Sequence, residues 1–330
     1  MHSQIKKERN SNFELLRIIA MLFIVIYHLL ITVYNQNPTD IIYKGAWIPL
    51  HIGVILFVFI SGYFGIKCKV DGILKLVGTI ALYYLPLTVY DIIKQGGSFE
   101  KLLFISHSPY WFIKTYLYLY LFSPVLNKYL EKINNKDRLF LVGSLTFISV
   151  YIGFTLGDSS LNGGKNLVNF CLLYVLGNTF KAYEHKLREI PIQYLICTYL
   201  ILNCCLLSIY THGGVISKII WRMSFYYNSP LLIINAALFF LIIARIRLHS
   251  SKINYIASSM FAVYLIHCQP YISDKIETAL SHSLSNNCII TNFCIILLYA
   301  VTIMATSVLI DKTLGFSLNR IKHFFAKTRQ

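Results

Sequence analysis

Ten stretches of about 20 mainly apolar residues dominate the sequence, and a helix of that length crosses the ~30 Å hydrocarbon layer of a bilayer. They run about 13 to 34, 46 to 66, 73 to 93, 110 to 127, 138 to 156, 167 to 183, 190 to 210, 228 to 246, 254 to 272 and 288 to 310. The runs at 73 to 93, 138 to 156 and 167 to 183 are weaker, being interrupted by glycine and polar residues or near the minimum length. Backbone in lipid must satisfy its own hydrogen bonds, so such runs read as helices. The expected fold class is therefore all-α, a polytopic membrane bundle of about ten transmembrane helices. Composition closes the alternatives. Charged residues make up 13% of the chain, about half the share in a soluble domain. The 24 Tyr and 22 Phe supply more apolar surface than a disordered chain carries.

Ten spans put both termini on one side. With that side cytoplasmic, 21 of the 30 Lys and Arg residues lie inside and seven outside (Lys44, Lys94, Lys101, Lys165, Lys218, Arg222 and Lys275), while Arg17 and Lys114 fall within helices. This is the positive-inside bias. It accounts for the net charge of +16 as membrane orientation, with no nucleic-acid partner. The first span follows Lys6, Lys7 and Arg9 but exceeds a signal-peptide core and lacks a small-residue cleavage site, so a retained anchor in the plasma or inner membrane is expected. Ser11 and Glu14 match a capping box that starts this helix. One integral-membrane domain is expected over 1–330, with basic cytoplasmic tails at about 1–11 and 312–330. The largest external connections, about 94 to 109, 211 to 227 and 273 to 287, hold 15 to 17 residues, room for a cap or a re-entrant segment but not for a catalytic module. Eight cysteines show no CxxC and no Cys/His ligand spacing, and no metal is expected.

An ionisable group within a span costs a few kcal/mol and faces the bundle interior or a wet cavity. The first span carries Glu14, Arg17 and His28, the second His51, the fourth Lys114 and the ninth His267. At about 100° per residue, His28 returns to within about 20° of Arg17, and at ~1.5 Å per residue it lies ~16 Å deeper. A polar stripe thus runs from the cytoplasmic edge past mid-membrane. Glu14 has a capping role open to it and Arg17 a snorkelling one. His28 is too deep to snorkel, which leaves a buried hydrogen bond or proton chemistry; proton chemistry is favoured because only His titrates unperturbed near neutrality. Ser61 and Gly62 serve either helix packing or, with Gly65, close backbone approach to a cytosolic ligand whose phosphates Lys67, Lys69 and Lys75 would meet. Trp111 fits an interfacial belt; together with His28, His51 and Lys114 it also suits an outer cavity for a sugar. His267 either bonds a neighbouring helix or joins the site.

Four segments resemble the acyltransferase 3 family of bacterial membrane acyltransferases: N-F-E-L-L-R-I-I-A-M-L-F-I-V-I-Y-H (12 to 28), F-V-F-I-S-G-Y-F (57 to 64), Y-W-F-I-K-T-Y-L-Y-L-Y-L-F-S-P (110 to 124) and S-S-M-F-A-V-Y-L-I-H (258 to 267). The resemblance implies a roughly ten-helix enzyme that modifies envelope or exported carbohydrates. It makes His28 the essential histidine, with Glu14 and Arg17 supporting the same cavity, and it carries over Ser61, Gly62, Trp111, Tyr264 and His267. Many members hold coenzyme A with an R-x-x-R pair after the second helix; this chain has Lys67, Lys69 and Lys75 there. The expected activity is O-acetyl transfer from cytosolic acetyl-CoA to a hydroxyl of a surface or lipid-linked saccharide. His28 would act as general base or transient acyl carrier, with Trp111, Lys114, Tyr264 and His267 toward the acceptor. The rival expectation is a saccharide exporter or flippase built on the same helices.

Overall fold

The computed structural model describes residues 10–36, 45–96, 98–103, 110–211, 222–284 and 288–327, with side chains 35, 36, 95, 209–211 and 318–327 left aside. Lys6, Lys7, Arg9, Lys44, Lys218 and Arg329, counted above for orientation, lie outside the described residues. Every regular element among those described is helical: α1 (Ser11–Gln36), α2 (Gly53–Phe64), α3 (Val70–Gln95), α4 (Trp111–Leu130), α5 (Asn135–Thr146, continuing as a π-helix over Phe147–Thr155), α6 (Leu167–Ala182), α7 (Glu184–Glu189), α8 (Ile192–Thr211), α9 (Pro230–Ala244), α10 (Ser251–Ala257), α11 (Met260–His267), α12 (Pro270–Ser283) and α13 (Ile289–Lys327), with 3-10 turns at Phe99–Leu102 and Ser159–Gly164. Among the described residues, four stretches are long and apolar enough to cross a membrane, Ser11–Tyr34, Val70–Lys94, Asn135–Thr155 and Ile289–Ser317; Gly53–Phe64, Leu167–Ala182, Ile192–Ser208 and Pro230–Ala244 are apolar but shorter. Leu74, Ile93, Phe140 and Leu298 stand exposed on the outside, a surface suited to lipid rather than water.

The first helix is the axis of the molecule. It packs against α2, α9, α10, α11, α12 and α13 and is buried on two faces. Phe13, Leu16, Ala20 and Ile24 enter a core shared with α2, α4, α6 and α9, while Met21, Val25, Leu29, Leu30 and Val33 enter a second core with α3, α11 and α13. Its start at Ser11 agrees with the capping signal, and the Ser11 hydroxyl also accepts from the Ser250 amide at 2.9 Å. Asn12 Nδ2 donates to the Ile243 carbonyl at 3.0 Å. These bonds pin the entry of α1 to the last turn of α9 and the loop that follows it.

The ninth apolar run is not one helix. It breaks at Ser258 and Ser259, between α10 and α11. Ser259 Oγ donates to Asp311 Oδ2 at 2.6 Å, Tyr83 donates to the other carboxylate oxygen at 2.7 Å, and Lys312 Nζ reaches Ser258 Oγ at 2.6 Å. A carboxylate on α13 thus collects hydroxyls from α3 and from the break. The connection at 273 to 287, expected as a cap or re-entrant loop, instead carries α12, whose N-terminus is capped by the Gln269 side chain at Ile272 N (3.0 Å).

Gly62 takes the packing reading. A Cβ there would overlap the Tyr174 carbonyl of α6, and a Cβ on Gly177 of α6 would overlap the Phe59 carbonyl of α2. The two helices meet backbone to backbone through these glycines, as small residues permit. Just beyond, Tyr174 OH accepts from Ile66 N at 2.8 Å and donates to Asn127 Oδ1 at 2.6 Å, while Asn127 Nδ2 donates to the Ile66 carbonyl at 2.8 Å. The Gly62→Ala protein is expected to lose about 1–3 kcal/mol of stability through overpacking. Gly143→Ala, where a Cβ meets nothing within 4 Å, should be neutral or gain up to ~1 kcal/mol from helix propensity. Thermal unfolding in detergent compares the two, and equal midpoints would remove the backbone contact from this account.

Candidate active site

Spacings of three and four along α1 put Glu14, Arg17, Met21, Ile24, His28 and Thr32 on one stripe, and this stripe walls three adjoining cavities. The first, about 450 Å³, is lined by Glu14, Arg17, Met21 and Ile24 with Ser61, Lys75, Tyr116, Tyr120 and Tyr264. The second is a waist of about 30 Å³ among Ile24, Tyr27, His28, His51, Trp111, Phe112, Tyr227 and Tyr264. The third, about 300 Å³, is lined by His28, Thr32, Trp111, His267, Cys268, Ser273 and Glu277. Ile24, Phe112 and Tyr264 are common walls of the first and the waist; His28 and Trp111 are common walls of the waist and the third. His28 therefore stands where a constriction opens into a chamber.

The orientation of its ring follows from a chain of hydrogen bonds. His267 Nδ1 is 2.7 Å from the Val263 carbonyl. A carbonyl only accepts, so that nitrogen carries the proton and, in the neutral ring, Nε2 carries a lone pair. His28 Nδ1 is 3.1 Å from this Nε2, so His28 Nδ1 is the donor. The remaining nitrogen, His28 Nε2, then holds the lone pair. One helical carbonyl thus fixes the tautomers of both rings, a use of histidine's two distinct nitrogens. Cys268 completes the cluster, with Sγ 3.3 Å from His267 Nε2 and 3.8 Å from His28 Nδ1. It sits in the turn where α11 ends, before Pro270 starts α12.

Aromatic rings make the waist. His51 stacks on Tyr227 with ring centres 4.5 Å apart, meets Tyr27 edge-on at 4.7 Å and donates from Nε2 to the Phe225 carbonyl at 2.8 Å. Its buried Nδ1 has no hydrogen-bond partner among the described residues. Trp111 lies 5.0 Å from Tyr227, and Lys165 Nζ is 5.3 Å from the Trp111 ring centre, within cation–π reach. A single amide holds this side of the wall. Buried Asn169 donates from Nδ2 to the carbonyls of Gly164 (3.0 Å) and Tyr227 (3.1 Å), and its Oδ1 accepts from Ser149 at 2.9 Å.

Several expected site residues meet and others separate. His28, Trp111, Tyr264 and His267 converge on the waist and the third cavity. Glu14 and Arg17 form an ion pair at 2.7 Å in the first cavity, about three turns from His28. Ser61 joins them there, its hydroxyl 3.1 Å from Tyr116 OH. Of the three lysines only Lys75 lines that cavity; Lys67 lines a different one with Arg138 and Lys181, and Lys69 is the exposed residue preceding α3. Gly62 faces α6, as described. Lys114 is exposed and stands outside all three cavities; the cation beside the Trp111 ring is Lys165 instead. Tyr27, Tyr116, Tyr227, Cys268 and Glu277 went unread in the sequence. Tyr27 and Cys268 are next to the two histidines in the chain, which was the available signal, whereas nothing local marks Tyr227 or Glu277.

Chemically, these elements supply a lone pair at His28 Nε2, tyrosine phenols and the unpartnered Nδ1 of His51 around a constriction, and an Arg–Glu pair with a lysine at the far end. Neither a curated protein nor a solved structure gives a match. A family model described as an acyltransferase domain does, over residues 10–312, a range that takes in the whole histidine stripe, both clusters of cavity walls and α11. The chain therefore belongs to the acyltransferase 3 family and is an acyltransferase.

Proposed function

We propose that this protein is a multi-pass O-acetyltransferase of the plasma or inner membrane that moves acetyl from cytosolic acetyl-CoA to a hydroxyl of a surface or lipid-linked saccharide. Some ten spans with both termini in the cytoplasm make the Arg17 cavity the cytosolic one and the His267 cavity the outer one. One observation carries this reading: His28 lines both the waist, which shares Ile24, Phe112 and Tyr264 with the basic first cavity, and the third cavity with its Trp111, Ser273 and Glu277. A polyanionic donor does not cross a bilayer, but an acyl thioester on a slender arm reaches inward from Arg17 and Lys75. An aromatic wall such as Trp111 suits a sugar face.

In the proposed reaction His28 Nε2 accepts the proton of the acceptor hydroxyl as its oxygen attacks the thioester carbonyl carbon. The carbon–sulfur bond then breaks, and the departing coenzyme A thiolate takes the proton back from His28. His267 is a positioning residue. It accepts the His28 Nδ1 hydrogen throughout, so the ring neither turns nor changes tautomer. The aromatic waist keeps water from the thioester, which guards against hydrolysis. Transfer through an acyl-histidine uses the same nitrogen, but direct transfer needs one fewer step. The family match favours an enzyme over an exporter, and a waist of about 30 Å³ is smaller than a sugar ring.

His28→Ala, at matched membrane abundance, should reduce acetylation of surface polysaccharide by about 10²- to 10⁴-fold, the usual worth of a general base; mass spectrometry of envelope glycans reads the result, and retained acetyl content would end the assignment. For His267→Ala, loss of one hydrogen bond of ~1.4 kcal/mol should lower kcat about tenfold, with the KM for acetyl-CoA unchanged and the pH–rate profile moved. His267→Gln, which keeps an acceptor for His28, should recover part of the rate. On the donor side, combined Arg17→Gln and Lys75→Gln should raise the KM for acetyl-CoA while Lys67→Gln leaves it alone; steady-state kinetics in detergent would show the opposite pattern if the donor enters beside Lys67.

A further inference from the structure

We propose that His28, His267 and Cys268 form a binding site for a soft divalent cation of the zinc type. They are the only cluster of three such groups among the described residues. The distances fit. Tetrahedral zinc with Zn–N bonds of about 2.05 Å and Zn–S of about 2.3 Å holds its ligand atoms roughly 3.3 Å apart for two nitrogens and roughly 3.6 Å for nitrogen and sulfur. The observed separations are 3.1 Å between His28 Nδ1 and His267 Nε2, 3.3 Å between His267 Nε2 and Cys268 Sγ, and 3.8 Å between Cys268 Sγ and His28 Nδ1. An ion placed among these three atoms needs shifts of only a few tenths of an ångström.

Outer support for a metal is already built in. Histidine ligands commonly donate their second N–H to a carbonyl or carboxylate, which fixes the coordinating tautomer. His267 does so to Val263 at 2.7 Å, and this leaves Nε2 as the ligand atom. All three residues line the third cavity, about 300 Å³, which supplies an entry route and room for a water or anion as the fourth ligand. Two imidazoles and a thiolate select Zn²⁺ and its neighbours; Mg²⁺ and Ca²⁺ require oxygen ligands.

The Cys268 thiol gives up its proton to solvent and the sulfur coordinates as thiolate. The metal takes the His28 Nδ1 position, so that ring's single proton moves to Nε2. The nitrogen that accepts the substrate proton in the metal-free protein is then an N–H and accepts nothing. Inhibition by zinc follows, a consequence that rests on the proposed role of His28; the metal site itself rests on the geometry alone.

The test uses the full-length protein in detergent, freed of metal with a chelator and titrated with Co²⁺ as a spectroscopic probe. Wild type should bind one equivalent with a thiolate-to-cobalt charge-transfer band and intense tetrahedral ligand-field bands, all displaced by Zn²⁺. Cys268→Ser should lose that charge-transfer band and bind more than about tenfold more weakly, since removing even an outer-shell partner costs that much. In acetyl-transfer assays Zn²⁺ should inhibit wild type reversibly, Mg²⁺ at the same concentration should not, and Cys268→Ser, referred to its own metal-free rate, should need more than about tenfold more Zn²⁺. A cobalt spectrum without the thiolate band, or one unchanged in Cys268→Ser, overturns the site. Cobalt binding through Cys268 with undiminished turnover upholds the site and counts against His28 as the base.

Discussion

The proposed chemistry depends on the hydrogen bond from His267 to the Val263 carbonyl. An imidazole surrounded by apolar helices has two nitrogens to satisfy, and an unmet buried donor or acceptor costs about 1–3 kcal/mol. Val263 meets one nitrogen of His267 and His28 meets the other. Within this pair only His28 Nε2 is left over, on a residue that lines the waist and the third cavity. The need to satisfy polar groups inside α11 and α1 thus leaves these two rings one lone pair between them. A neutral acceptor does this work where many bases rely on a carboxylate, so no second buried charge has to be stabilised nearby. The same arrangement makes the lone pair a property of three elements together, since moving α11 against α1 by even an ångström would break it.

That dependence explains the effort the fold spends on the register of α1 and α11. The N-terminal end of α1 is tied to the α9–α10 loop through Ser11 and to the last turn of α9 through Asn12. The start of α11 is tied to α13 and α3 through Ser259 and Asp311. Its end is tied to α4, because Tyr110 OH donates to the Leu265 carbonyl at 2.9 Å. Buried hydrogen bonds to a charged acceptor such as Asp311 are worth about 1.5–3 kcal/mol each, enough to hold a short helix of eight residues that its own nucleation would leave marginal. Breaking the ninth apolar run at Ser258–Ser259 is the means by which α11 acquires an anchor at both ends.

What the sequence made legible was whatever is local or periodic. Apolar runs appear as helices at nearly the expected places, and the spacing of Glu14, Arg17 and His28 correctly put them on one face of α1. The partnership of His28 with His267 joins positions 239 apart, and no local pattern reports such a contact. Gly62 read equally well as a ligand-facing or a packing residue until α6 was found against it. Lys114 and Lys165 exchanged roles for a similar reason. A helical wheel of α4 does not say which face a distant loop will cover, and that loop is held by Asn169 on α6. The connection after Pro270 lacked a long apolar run because α12 is amphipathic, with Leu280 buried and Asp274 and Lys275 exposed, so a length criterion passed over it.

Cys268 brings the strands of this reasoning together. A thiol next to two imidazoles offers nothing to the proposed proton transfer, in which His28 and His267 already satisfy each other. Yet it sits 3.3 Å from a nitrogen whose tautomer a carbonyl has fixed. The features that suit His28 to the proposed role of base, a preset tautomer and low competition from other hydrogen-bond partners, are also those that make a good metal ligand, because both a proton and a metal ion seek the same lone pairs. The difference lies in which nitrogen of His28 is used. Proton transfer uses Nε2 and needs Nδ1 protonated; coordination uses Nδ1 and protonates Nε2. The two states are mutually exclusive within one ring, so a single tautomer shift of His28 is the physical coordinate along which the proposed enzyme would pass between working and silent forms.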